Sequence, residues 1–487
     1  MMVMDPDPAG QHSGRSTDAH DLLRKALAAR ASGDLQGARD FFRTVVDINP
    51  ASLPAWEGLR QVDAKLGWTR EILDIGLRAV TRESRPPLAA YLHLFAAADQ
   101  LGELSSHQDA LATALGAFPD CALLRHYHGV LLEDTDRPTE ALLQFGRAAS
   151  LRPDVAEFHL SLAQSYLSHG LFKPGWREFE WRHRLSRVPR RAPRAPAWDG
   201  QAGPGKRLLV YAEQGRGDVI QFSRFLRALP PDMSVTLEVY DDLVELFAGL
   251  PGVRVVGPSA PSPPIDVECS LLSLPHLLDL SRSGGAIVDG AAYLDVSTPS
   301  RRSWAARLAA APGLKVGVVW QGNPQFGLDQ RRSIPAAALT SLAAVDGLHI
   351  INLQKNAHPD DLASWRAVSP LHDGMDEVRT FADTAALVAN LDLVVGVDTA
   401  VIHLSGALGV PTWLLNRTPA HWTWQAKGDH SIWYDSVRQF RQTTPGDWTD
   451  VIGRVAHALT ALTSKRHPAA ASLATPASRS RSGHEAG

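Results

Sequence analysis

The chain has 487 residues, 21% of them charged and 44% hydrophobic, with a formal net charge of −3. At about 150 residues per domain this predicts roughly three domains of ordinary globular composition, and it excludes a disordered or collagen-like chain. The charge balance supplies no overall basic field for nucleic acid or an anionic membrane, so any anion must be bound locally.

Cys121 and Cys269 are the only cysteines. They are too few and too far apart for a disulfide framework or a cysteine zinc site, which predicts a reducing, cytoplasmic compartment. The first twenty residues lack the features of a signal peptide and no run of about 18 apolar residues occurs, so neither export by that route nor a membrane span is expected. Residues 1–18 are expected to be disordered. So is the tail 464–487, which is rich in Ala, Ser, Pro, Arg and Gly without hydrophobic periodicity.

Residues 19–185 repeat. Gly33, Gly67, Gly102 and Gly170 are separated by 34, 35 and 68 residues, with Asp136 filling the missing place. In the same register stand Ala38-x3-Phe42 followed by Pro50, and Ala141-x3-Phe145 followed by Pro153. The small residue lets two helices approach, the aromatic fills the seam between them, and the proline stops the second helix. The pattern resembles tetratricopeptide repeats (TPRs), with Trp56-x2-Leu59 and Tyr166 where that family places its first-helix aromatics and leucine. Ile72, Gly76 and Ser84 occupy the signature positions of a degenerate second unit. Stacked helix hairpins of this kind form an α-solenoid, which either docks a protein partner or acceptor in its groove or acts as a spacer.

Seven arginines and the prolines 189, 193 and 196 crowd the stretch from Trp176 to Trp198. A charge run beside prolines reads as a solvated linker, 186–204, rather than a phosphate cradle. After Gly205 the pattern changes to short apolar runs alternating with turns and amphipathic segments. KRLLVYAEQ (206–214), VTLEVY, VRVV and DVECS are predicted strands, with GRGD (215–218) a turn and VIQFSRFLRAL (219–229) a helix. KVGVVWQG, LHIINLQ, LDLVVGVD and PTWLLN repeat the order from Lys315. This alternation predicts two Rossmann-like units, 205–312 and 313–463, each a parallel sheet flanked by helices. Ligands in such sheets bind beyond the carboxyl ends of the strands, which directs attention to the strand ends.

The first strand runs into Gln214-Gly215-Arg216-Gly217-Asp218. Its glycines allow close backbone approach, but Ile220 stands where GxGxxG needs its third glycine, so a dinucleotide site is demoted. Asp218 is either a helix cap or a carboxylate placed to take a proton from a hydroxyl. At the end of LDLVVGVD, Asp398 precedes a helix on which Thr399 and His403 share one face, an arrangement that suits a diphosphate at the helix N-terminus. Taken singly, that motif reads equally as an ordinary capped helix.

Together these motifs are similar to GT-B glycosyltransferases of the heptosyltransferase (family 9) type, especially bacterial tetratricopeptide-glycosyltransferase fusions, and more distantly to protein O-GlcNAc transferases. The resemblance spans about Leu22 to Leu462. It rests on AEQGRGDVIQFSRFL, VVWQGNP with RRSIP, INLQK, VDTAVIHLSGALGVPTWLL, and WTW…SIWYDSVRQFRQ…GDW. It implies sugar transfer from a nucleotide-diphosphate donor, a co-substrate rather than a bound cofactor, with the acceptor on the first unit and the donor on the second.

Residue by residue, the resemblance makes Asp218 the catalytic base, in a cleft loop of Gln214, Gly215 and Gly217. It assigns the donor to Asp398, Thr399, His403, Asn323, Arg332, Gln354 and Lys355, with Ala400 where the family has glycine. Arg and Lys neutralise a leaving diphosphate, while Asn and Gln hold hydroxyls or a base edge. No metal is expected, because Asp-x-Asp occurs only outside the α/β half. Trp413, Trp422, Trp424, Trp433 and Trp448 either stack on base or sugar or pack between domains. Two other readings stay open: a non-catalytic TPR scaffold with a degenerate transferase domain, and another nucleotide-sugar enzyme such as an epimerase.

Overall fold

The computed structural model describes residues 9–67, 69–185, 191–261, 263–279, 289–324 and 329–466. The chain divides into two compact units, one made of Met1–His169 with Glu178–Val188 and the other of Gly170–Arg177 with Pro189–Gly487.

The first unit is a series of helix hairpins, and the 34-residue period marks its turns. Gly33, Gly67, Gly102 and Gly170 have φ between 73° and 88°, and Asp136, in the missing place, has φ 56°. The turn thus demands a left-handed residue each time, which glycine supplies without strain and aspartate tolerates. The helices Leu35–Ile48 and Pro138–Leu151 each end two residues before their prolines, Pro50 and Pro153. Phe42 and Phe145 are buried, and each lies on a glycine of a neighbouring helix. A Cβ on Gly58 would stand 2.3 Å from Phe42, and one on Gly129 would stand 2.5 Å from Phe145. In the degenerate unit, Ile72 stands in the place of the small residue and Gly76 in that of the aromatic, and the Leu94 backbone approaches to 3.0 Å of Gly76's would-be Cβ. The first helix, Ala9–Ser32, begins inside the segment expected to be disordered.

The second unit contains two all-parallel sheets. The first orders its strands β3-β2-β1-β4, where β1 is Arg207–Tyr211, β2 Ser234–Glu238, β3 Val253–Val256 and β4 Val267–Ser270. Leu208 lies between Val235 and Val267. The second sheet runs β10-β9-β8-β5-β6-β7: β5 Leu314–Val319, β6 Leu348–Asn352, β7 Leu371–His372, β8 Leu393–Val397, β9 Thr412–Asn416 and β10 Val437–Arg441. Every residue of β8 is buried, as expected of a strand covered on both faces. In each sheet the strand order reverses beside the first strand, between β1 and β4 and between β5 and β8.

The Arg/Pro-rich stretch is no free linker over its described part. Ala197 bridges to Glu268, so residues 196–198 extend the first sheet beyond β4. Arg191 reaches Glu268 (2.9 Å) and Glu238 (3.2 Å), and Arg194 also pairs with Glu238. The buried Glu268 needs these cations, because an unpaired carboxylate in that position is costly. Within the same unit Trp176 is buried edge-on against Phe222, Trp422 and Trp433, with centroids 5.8–6.3 Å away.

Candidate active site

Asp218 is placed by the turn that follows β1. Gln214 takes φ 62°, an uncommon conformation for a side-chain-bearing residue, and its carbonyl accepts the Tyr240 hydroxyl at 2.7 Å. The helix Arg216–Phe222 then begins two residues earlier than Asp218, inside the stretch read as a turn. Asp218 therefore sits in the first helical turn, and its Oδ2 accepts the Gly215 N–H at 3.0 Å. That is the cap, and it leaves the other carboxylate oxygen for chemistry. Burial pushes the carboxyl up to about 6, against the Gly215 hydrogen bond and with the negative charges of Asp398 and Glu213 adding to the rise. Such a group is a base at neutral pH with a pKa suited to proton transfer.

The second half of the site lies where the larger sheet reverses its order. Asp398 follows β8, and Thr399 begins the helix Ala400–Ala407. Arg332 is paired with Asp329 at 2.9 Å and donates to the Asp398 carbonyl at 2.8 Å, joining the loop after β5 to the end of β8. Burial would raise Asp398, but His421, His403 and Arg332 beside it hold it below the usual carboxylate range. The Thr399 hydroxyl is buried without a hydrogen-bond partner among the described residues. An orphaned hydroxyl at a helix start costs free energy unless something else supplies its partner. Ala400 is not among the residues with positive φ, so the backbone here does not require a glycine at this position.

His403 is buried, its ring 5.0 Å from Trp424, with Nδ1 3.0 Å from the Tyr434 hydroxyl and Nε2 3.8 Å from Asp398. Burial lowers it to about 4 despite the Asp398 charge, so it is neutral at pH 7. The two motifs meet directly: a Cβ on Gly217 would lie 2.9 Å from His403 Cδ2 and 3.4 Å from Ala400 Cα. Gly217 is what lets the helix bearing Asp218 press against the helix that starts at Ala400.

The remaining candidates are placed less directly. Gln354 Oε1 accepts the backbone N–H groups of Trp320 (3.2 Å) and Gln321 (2.9 Å), so its carbonyl fixes the end of β5. Lys355 donates to the Val378 carbonyl, and Asn323 is exposed. Trp422, Trp424 and Trp433 are at most 6% exposed and act as packing. Among the described residues no group of three or more His, Cys, Asp or Glu is arranged to hold a metal ion, and no helix is long and apolar enough to cross a membrane.

Four residues of the site carried no sequence signal of their own. Arg224 donates to the Trp433 carbonyl at 2.5 Å and lies over the rings of Tyr293 (4.5 Å) and Tyr434 (4.7 Å). Tyr293 donates to the Ile220 carbonyl at 2.8 Å, on the Asp218 helix. His421 stands near Asp398. Tyr434 and His421 flank or fall within the tryptophan-rich motif, which was the available pointer.

No family model matches the chain. Over 433 residues, 75% of this chain and 72% of the relative, it is 27% identical to protein FlbA of Caulobacter vibrioides. Among solved structures it is similar to the E. coli ADP-heptose lipopolysaccharide heptosyltransferase II, with 12% identity, coverage of 54% of this chain and 99% of that one, and a TM-score of 0.38. It is also similar to a thermophilic TPR protein of Thermus thermophilus, with 23% identity, coverage of 34% and 91%, and a TM-score of 0.28.

Proposed function

We propose that the chain is a glycosyltransferase that moves a sugar from a nucleotide-diphosphate donor to an acceptor hydroxyl, without a metal ion. The observation that carries this reading is the contact of Gly217 with His403. It sets a carboxyl group pushed up to about 6 beside a helix start whose Thr399 hydroxyl lacks a partner and whose flank carries Arg332. A base for a hydroxyl and an anion-binding helix start are the two halves that transfer from a diphosphate leaving group needs.

In this reading Asp218 takes the proton of the attacking hydroxyl. The Ala400–Ala407 helix start, Thr399 and Arg332 hold the departing diphosphate, and neutral His403 is positioned by Tyr434. Gln354 and Lys355 shape the neighbouring strand ends, and the repeat array docks a protein partner or acceptor. The test is to incubate the protein with a panel of nucleotide sugars and follow released nucleoside diphosphate. Release that depends on Asp218 supports the reading. Binding without turnover would instead indicate a scaffold, and a changed sugar without release would indicate an epimerase.

A further inference from the structure

Beyond the residues already placed, a second imidazole stands at the edge of the same site. His421 lies on the connection that leaves β9, where the charges of Asp398, Arg417 and Arg332 act on its ring. That connection is held on both sides of it. Thr418 N–H donates to Gln442 Oε1 at 3.1 Å and its hydroxyl to the Gln442 carbonyl at 2.8 Å. Beyond His421, the Trp433 indole N–H donates to the Thr423 carbonyl at 2.7 Å. A side chain carried between two such anchors is pre-positioned, which is what a ligand-binding group requires.

The protonation of the ring follows from counting. Thr423 is 1% exposed, and its hydroxyl meets one acceptor, His421 Nδ1, at 2.9 Å. A buried hydroxyl left without an acceptor is costly, so Thr423 donates and Nδ1 accepts. The single proton of the neutral ring is then on Nε2, which has no hydrogen bond to any described residue. Burial keeps the ring neutral, lowering it to about 4 against the Asp398 charge and with Arg417 and Arg332 in the same direction.

We propose that His421 is a further donor-binding residue, delivering its Nε2–H to an oxygen of the leaving diphosphate while the Thr423 hydroxyl fixes its tautomer. The inference rests on the glycosyltransferase reading, and on the chemistry of an anion that takes up every donor offered to it. A neutral imidazole with a fixed N–H complements a nucleoside diphosphate without adding a buried charge to Asp398 and the two arginines.

The test is titration calorimetry of the full chain with pyrophosphate and with the diphosphates of adenosine, guanosine, uridine, cytidine and thymidine. His421→Phe keeps the ring without the donor, and His421→Gln restores an N–H near Nε2. For the ligand that wild type binds tightest, affinity should fall about tenfold or more in His421→Phe and largely return in His421→Gln. Nitrogen NMR of the histidine rings should show the Nε2–H tautomer in wild type and a mixture in Thr423→Val. Equal affinity of wild type and His421→Phe would overturn the role of His421 alone. Equal losses in both variants with lowered melting temperatures, or an Nδ1–H tautomer in wild type, would also overturn it. No binding of any of these ligands by wild type would overturn the glycosyltransferase reading and this inference with it.

Discussion

His93 in the repeat array and His403 in the α/β half are nearly the same object by burial. Each is at most 6% exposed, each ring lies 5.0 Å from a tryptophan, Trp56 or Trp424, and each is lowered to about 4 by burial. What separates them is where their nitrogens point. His93 Nδ1 has no hydrogen-bond partner among the described residues, so the ring is a flat packing piece. His403 Nδ1 meets Tyr434, and its Nε2 faces Asp398. A depressed basicity therefore marks burial in both units, and directed partners single out the histidine of the proposed site.

The largest effect expected from this contrast is at Asp218. Asp218→Asn keeps an acceptor for the Gly215 N–H and loses the base, so nucleoside diphosphate release should fall about 10²–10⁴-fold with the melting temperature preserved. Release at the wild-type rate would take Asp218 out of the mechanism. A methyl group separates the two regions next. Gly217→Ala drives a carbon into the His403 ring and should lower transfer at least about tenfold, because the ring or its helix must shift. Gly129→Ala meets Phe145 in the same manner, yet should cost only about 1–3 kcal/mol of stability and leave nucleotide affinity unchanged.

The histidines themselves give a third comparison. His403→Phe should weaken nucleoside diphosphate binding by about 10-fold or more in calorimetry, whereas His93→Phe should leave it alone. His93 titrates at about 4 when folded against 6.5 ordinarily. The stability tied to its neutral form is complete above 6.5 and is lost as pH falls toward 4, by up to about 3 kcal/mol. His93→Phe removes that loss, so its advantage in melting temperature should grow as the pH is lowered through this window. A constant gap would show that His93 does not drive acid sensitivity. The smallest change is Thr399→Val, which should leave stability equal or slightly higher, since the hydroxyl lacks a partner, while diphosphate affinity drops. Lowered stability with unchanged affinity would make Thr399 structural.

Legibility in the sequence follows the same division. The array was readable because its contacts recur at one period: five left-handed turn residues, four of them glycine, keep the 34-residue register even where the signature fails. The sheets were readable from apolar runs, apart from β7, which is only Leu371–His372, and β10, an edge strand in which Val437 and Phe440 are the only apolar residues of Val437–Arg441. The site was readable only as far as single motifs went. Asp218, Thr399 and His403 lay in recognisable segments, but Arg224 and Trp433 meet across 209 positions, a pairing no local pattern encodes. The arginines at 191 and 194 misled for the same reason, because their partners Glu238 and Glu268 lie on distant strands.

The pH dependence of nucleoside diphosphate release is the most direct test of the claim that Asp218 is a base beside a diphosphate site. The carboxyl is pushed up to about 6, so release from the best donor of a nucleotide-sugar panel should fall about tenfold per unit below that pH in wild type. Asp218→Asn should show a slow rate without that limb. A wild-type profile flat between about pH 5 and about pH 7, a unit either side of the expected midpoint, or the same limb in the variant, would contradict the account.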